Sequence, residues 1–125
     1  EKLCFFQSII NCIKSDSRPT ILIGDLNVDF NGNLDSYPNR ALLTKLIRQL
    51  NFVDVVRKLG SDNEYSWKSG RKSSRIDHAL MTPWLSSFAK RVVYKYVPSS
   101  DHRLLCVDLF CSSVKKKFRT PSWVT

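Results

Sequence analysis

The chain has 125 residues, 42% of them hydrophobic and 11% aromatic, which is enough to bury one core and too short for more than one compact unit. Its formal net charge is +9, and eight of its 20 basic residues fall in two clusters: Lys68, Arg71, Lys72 and Arg75, then Lys115, Lys116, Lys117 and Arg119. No apolar run approaches the length of a bilayer-spanning helix, so a transmembrane segment is excluded and no membrane partner is expected. Clustered positive charge suits a polyanion through phosphate contacts and counterion release, and equally a solvated loop and a basic linker. The sequence opens on Glu1 without an initiator methionine or a signal-peptide pattern. The expectation is a segment of a longer intracellular, nuclear polypeptide.

In chain order, Leu3, Phe6, Ile10 and Ile13 recur at helical spacing, which predicts an amphipathic helix over 2–14. Cys4 and Cys12 fall within that pattern and are expected as small core residues. With Cys106 and Cys111 they show no CxxC spacing, which argues against zinc. After a turn at Ser15 to Pro19, the run Thr20-Ile21-Leu22-Ile23 predicts a buried strand ending at Gly24. Asn31 to Pro38 has loop composition. Asn39 is then expected to cap a second helix carrying Leu42, Leu43, Leu46, Ile47 and Leu50 on one face.

From Phe52 onward β-formers dominate. Phe52 to Val56 reads as a strand or a helix end. Tyr65 to Trp67 is expected as a short strand, Ser69 to Ser74 as a basic turn, and Arg75 to Met81 as a strand ending before Pro83. Val92 to Val97 is a further strand stopped by Pro98. Leu104 to Phe110 is apolar on both faces except at Asp108, which predicts a strand buried in a sheet. Two helices with several strands make a layered α/β unit over 1–113. Residues 114–125 read as a basic linker or tail.

Three polar clusters sit at the ends of these strands, where α/β proteins place their sites. The first is Gly24-Asp25-Leu26-Asn27. In extended backbone Asp25 and Asn27 point the same way, although the same residue types also favour turns. The second is Ser74-Arg75-Ile76-Asp77-His78. A carboxylate within that apolar strand is costly unless paired, and alternation puts His78 on the opposite face, as a structural or surface residue. The third is Ser100-Asp101-His102. An imidazole there can act as acid or base near neutral pH, and a buried aspartate accepting its ring N–H, with Asp77 the candidate, would set the tautomer.

The order GDLN, SRIDH, SDH, with strand–loop placement from about Ile21 to Phe110, resembles the endonuclease/exonuclease/phosphatase superfamily. The resemblance implies a partial four-layer α/β sandwich of the deoxyribonuclease I-like type, specifically its carboxy-terminal half. It implies that Asp25 and Asn27 orient the attacking water and contact the scissile phosphate, and that Asp77 pairs with His102. His102 would contact the phosphate, and Asp101 would belong to the divalent-metal site. An oxygen-rich donor set suits Mg²⁺, with Mn²⁺ as the alternative. Tyr65-Ser66-Trp67, a basic turn and then SRID look like the branch found in non-long-terminal-repeat retrotransposon polyproteins, where a reverse transcriptase follows. That branch implies DNA as partner, with Trp67, Arg71, Lys72 and Arg75 along a DNA groove.

The family's amino-terminal half supplies an asparagine and a metal-binding glutamate that nothing before Asp25 replaces. The expectation is therefore a fragment inactive alone, with apolar surface exposed where the other half packs. The alternatives are a non-catalytic nucleic-acid-binding remnant and a phosphatase-type member of the same superfamily.

Overall fold

The computed structural model describes residues 2–29, 37–60 and 64–110. The expected tail at 114–125, its basic cluster and most of the 31–38 loop lie outside them. Helix α1 (Lys2–Lys14) leads into strand β1 (Ile21–Asp25), followed by α2 (Tyr37–Gln49), β2 (Val53–Asp54) and α3 (Val55–Leu59). The hairpin β3 (Trp67–Ser69) and β4 (Lys72–Ser74) precedes β5 (Asp77–Met81), the single helical turn α4 (Pro83–Ser86), and the long pair β6 (Ala89–Lys95) and β7 (Leu104–Leu109). No described helix is long and apolar enough to cross a membrane.

The central sheet has the order β1-β5-β2, all antiparallel. Period-two alternation gives its two faces different partners. On one face Leu22 and Leu80 join Phe6 and Ile10 of α1 and Leu43 and Leu46 of α2 in one apolar cluster, which also takes in Leu26, Val28 and Phe52. On the other face Ala79 and Met81 pack with Val55 and Val56 of α3, with Ala89, Val92 and Tyr94 of β6, and with Leu105 and Val107 of β7. The result is three layers: two helices, a small sheet, and a β-ribbon with short helices beside it.

The α1–α2 layer is set by local rules. Phe6 and Ile10, four apart, are both buried against the sheet. Cys4 and Cys12 lie on the solvent side with Ser8, so they are exposed rather than in the core. Asn39 is the third residue of α2 and not its cap, because the helix already begins at Tyr37. Proline at Pro38 favours that earlier start, since it lacks the N–H that a first turn leaves unpaired. At the other end Asn51 adopts φ 51°. Phe52 N–H bonds back to Ile47 O at 2.9 Å and Asn51 N–H to Arg48 O at 3.1 Å, which closes the helix and turns buried Phe52 under it.

Two strands expected to be buried are half exposed. Ile21 is 40% and Ile23 51% exposed, because β1 is an edge of the sheet among the described residues and only its Leu22 side meets the helices. In β7, Leu104 and Leu109 are exposed and the centre of the strand is half-buried, because its described strand pairing is with β6 alone. The Tyr65–Trp67 strand is displaced to Trp67–Ser69, and its turn is a two-residue connection at Gly70-Arg71. Gly70 takes φ 61° there, a conformation that twisted two-residue hairpins require and that glycine adopts without strain.

These environments predict contrasting costs. Leu46→Ala, in the helix–sheet core, is expected to lose about 2–5 kcal/mol. Ile23→Thr on the open edge is expected to stay within about 0.5 kcal/mol of the parent, as surface substitutions do. Urea unfolding midpoints of the two variants, at unchanged m, measure the difference.

Candidate active site

The β1–β5 ladder pairs Ile21 with Met81, Ile23 with Ala79, and Asp25 with Asp77. Ladder partners share a face, so the two carboxylates stand side by side at the end of the sheet, opposite the helices. Like charges directly across a ladder repel unless a cation or proton lies between them. His102 occupies that position. Its Nδ1–H donates to Asp77 Oδ2 at 2.9 Å, and its Nε2 lies 3.9 Å from Asp25 Oδ2. The hydrogen bond to Asp77, with the charges of Asp77, Asp25 and Asp101, raises the imidazole above its ordinary value. Three of the five expected catalytic and metal residues thus converge.

The remaining two are arranged differently. Asn27 has φ 55° and stands past the end of the strand, so the extended alternation that would align it with Asp25 does not reach it. Its backbone N–H instead donates to Asp25 Oδ1 at 2.7 Å and holds that carboxylate. Asp101 Oδ2 accepts the Trp67 indole N–H at 3.0 Å, so Asp101 faces the hairpin and stands outside the Asp25–Asp77–His102 group.

The loop bearing His102 is clamped by the hairpin. Arg103 N–H bonds to Ser66 O at 2.6 Å, Lys68 N–H to Asp101 O at 3.1 Å, and Trp67 and His102 form an isolated β-bridge. Within the loop, His102 N–H donates to Ser100 Oγ at 3.0 Å. Ser66, fully buried, ties the same hairpin to β5: its Oγ accepts from Ile76 N–H at 2.9 Å and Asp77 N–H at 3.0 Å. Sequence reasoning passed over Ser66 because serine between two aromatic residues carries no chemical signal. Its one clue was alternation, which points it inward when Tyr65 and Trp67 point out.

Arg75 requires a correction. It was expected along a DNA groove, yet it is 3% exposed and lies beneath the site. Its guanidinium pairs with Asp54 Oδ2 at 3.4 Å and approaches His78 Nδ1 at 3.5 Å. The reason is Asp54: paired with Leu80 of β5, it has a nearly inaccessible carboxylate, and a buried carboxylate needs a cation. His78 is structural, as expected, and buried rather than on the surface. Its Nε2–H donates to Val28 O at 2.6 Å, and burial holds the ring below the ordinary imidazole value, hence neutral. Tyr94 completes the layer. Its hydroxyl donates to Asp77 O at 2.6 Å, and burial pushes the phenol up to about 12, so it remains a donor.

Of the remaining DNA-facing candidates, Arg71 and Lys72 are exposed at the hairpin tip, and Trp67 is half-buried with its N–H committed to Asp101.

The ligand atoms of Asp25, Asp77 and His102 lie within 4.8 Å of one another, a spacing that would admit a metal ion. Two carboxylates offer the oxygen ligands that a hard divalent cation takes. Asp25, Asp77 and His102 are the residues that would hold it.

No protein-family model matches the sequence, and no curated protein matches it. Solved structures do match. An AP endonuclease from Archaeoglobus fulgidus superposes with a TM-score of 0.72 at 22% identity, covering 86% of this chain and 52% of that one. A 3′ phosphatase, NExo, from Neisseria bound to product DNA hairpin superposes at 0.70 with 18% identity, covering 88% and 52%. An AP endonuclease from Leishmania major superposes at 0.68 with 20% identity, covering 82% and 42%. The chain spans about half the length of these structures. Its three layers are the α/β fold of AP endonucleases and other deoxyribonuclease I-like proteins, present over that part of their length.

Proposed function

We propose that this segment is the carboxy-terminal half of a metal-dependent phosphodiesterase domain that nicks DNA. The observation that carries the reading is the convergence of Asp25, Asp77 and His102, drawn from three separate motifs, at one end of a sheet in this fold. Asp77 holds the His102 ring with Nδ1 protonated, which leaves Nε2 directed toward the open side shared with Asp25. A protonated Nε2 donates to a phosphate oxygen as negative charge develops, and Asp25, braced by the Asn27 N–H, orients the attacking water. A Mg²⁺ ion bound beside the carboxylates would supply Lewis-acid stabilisation of the phosphate.

Two observations favour a domain completed by an upstream segment. The chain covers about half of its structural neighbours, and Ile21 and Ile23 leave apolar surface on the open edge of β1. DNA as substrate is favoured by the basic hairpin tip of Arg71 and Lys72 and by the Neisseria neighbour's product DNA. The order of YSW, basic turn and SRID favours a retrotransposon endonuclease, with a nuclear site of action and a reverse transcriptase downstream.

Two tests follow. The chain extended upstream, with Mg²⁺, is expected to nick supercoiled plasmid, and His102→Ala to lower the rate at least about a hundredfold. An extended chain that binds DNA without nicking it would leave the non-catalytic reading, and hydrolysis of inositol phosphates but not DNA the phosphatase one. Separately, His102 is expected to titrate above 6.5 by NMR, and Asp77→Asn to lower the midpoint. Because the folded value is raised, the stabilisation from the Asp77–imidazolium pair is complete below the unfolded value and disappears as pH rises through the folded one. A midpoint at or below 6.5 that ignores Asp77→Asn refutes this pairing.

A further inference from the structure

Beside His102 lies a pocket of about 260 Å³. Its walls come from the hairpin and from the loop joining β6 to β7, the two segments already bonded to each other through Ser66, Lys68, Asp101 and Arg103. The Arg103 guanidinium sits 3.8 Å from the centre of the Tyr65 ring, and the Lys68 ammonium lies 5.8 Å from the same ring. Stacking on the ring fixes the guanidinium plane without consuming its N–H donors, so those donors remain for an anion. Tyr96, which also lines the pocket, is 76% exposed, so its aromatic ring is open to solvent. Two cations and a bare aromatic ring bordering one concavity form a nucleotide-binding combination: charge for the phosphate and a π-face for the base.

We propose that this pocket holds one unpaired nucleotide of a DNA strand next to the scissile phosphate, with its own phosphate on Arg103 and Lys68 and its base against Tyr96. The inference rests on the phosphodiesterase reading above and adds a subsite to it. His102 also lines the pocket, so a phosphate on the cations would neighbour a phosphate at His102. A paired base cannot reach the Tyr96 ring without leaving its stack, so the subsite acts on strand that is single or locally opened.

Fluorescence anisotropy of a fluorescein-labelled single-stranded oligonucleotide, with the full chain in EDTA so that nothing is cut, tests the pocket. Tyr96→Ala is expected to weaken binding about fivefold to a hundredfold, the range for removing one stacked aromatic. Tyr96→Phe keeps the ring and is expected to bind as the parent does. Lys68→Ala is expected to reduce the slope of log affinity against log salt by about 0.7, one phosphate contact on a single strand. Lys90→Ala, an exposed cation on β6 outside the pocket, controls for lost charge and is expected to leave that slope closer to the parent's. Tyr96 and Lys68 are exposed, and thermal melts verify that these variants fold. If the chain binds DNA and neither Tyr96→Ala nor Lys68→Ala changes that binding beyond the Lys90→Ala control, the subsite is refuted while the phosphodiesterase reading stands. If the parent binds no DNA at all, the subsite is refuted, and the phosphodiesterase reading is decided by plasmid nicking with the upstream-extended chain.

Discussion

Five ladder pairs between β1 and β5 set the geometry of the candidate site. They place Asp25 across from Asp77, and a slip of one residue would turn one carboxylate toward the helices and the other away. The slip is resisted by burial rather than by the carboxylates themselves. Leu22 and Leu80 face one core, and Ala79 and Met81 face the other. Any register that separated the two acids would also drive these side chains into the wrong layer. Apolar packing thus maintains a local repulsion that the hydrogen bond to His102 then relieves.

Beneath the site lies a second charged layer. Arg75 and Asp54 are both nearly inaccessible, and His78, Tyr94 and the Val28 carbonyl use further polar groups around them. Burying an ion pair seldom raises stability, but removing one member leaves the other charge stranded at a cost of several kcal/mol, typically about 3–5. The layer therefore acts as a constraint on geometry. It ties β2, β5 and β6 to one another directly under Asp77, and Tyr94 reaches the Asp77 carbonyl itself. Asp54 serves twice, since its other oxygen accepts the Arg57 N–H at the start of α3.

Electrostatics above and below the sheet end are opposed. The Asp25–Asp77–His102 side is acidic, whereas the hairpin beside it presents Lys68, Arg71 and Lys72 to solvent. Under the proposed function, a phosphate backbone drawn by the hairpin would arrive next to carboxylates that repel it unless His102 is protonated or a cation is bound. Charge on the ring is favoured by Asp77 first, which would link the affinity of the site for an anion to the same hydrogen bond that orients it.

The sequence by itself determined what is periodic and what is contiguous. Helical spacing identified α1 and the core face of α2, a β-branched run located β1, alternation located β5, and the GDLN, SRIDH and SDH clusters marked which strand ends carry polar residues. Alternation alone separated Asp77 from His78. Only the tertiary structure decided which of those groups meet. Asp77 and His102 are 25 residues apart, Trp67 and Asp101 34, and His78 and Val28 50, so no local pattern records their contacts. The same limit explains the misplacement of Arg75, which is indistinguishable from a surface cation until Asp54 is seen buried against it, and it hides the bond from the Trp67 indole to Asp101. Exposure of Cys4, Ile21 and Ile23 likewise depends on what packs opposite, and side-chain type specifies only what would be buried if a partner surface were there.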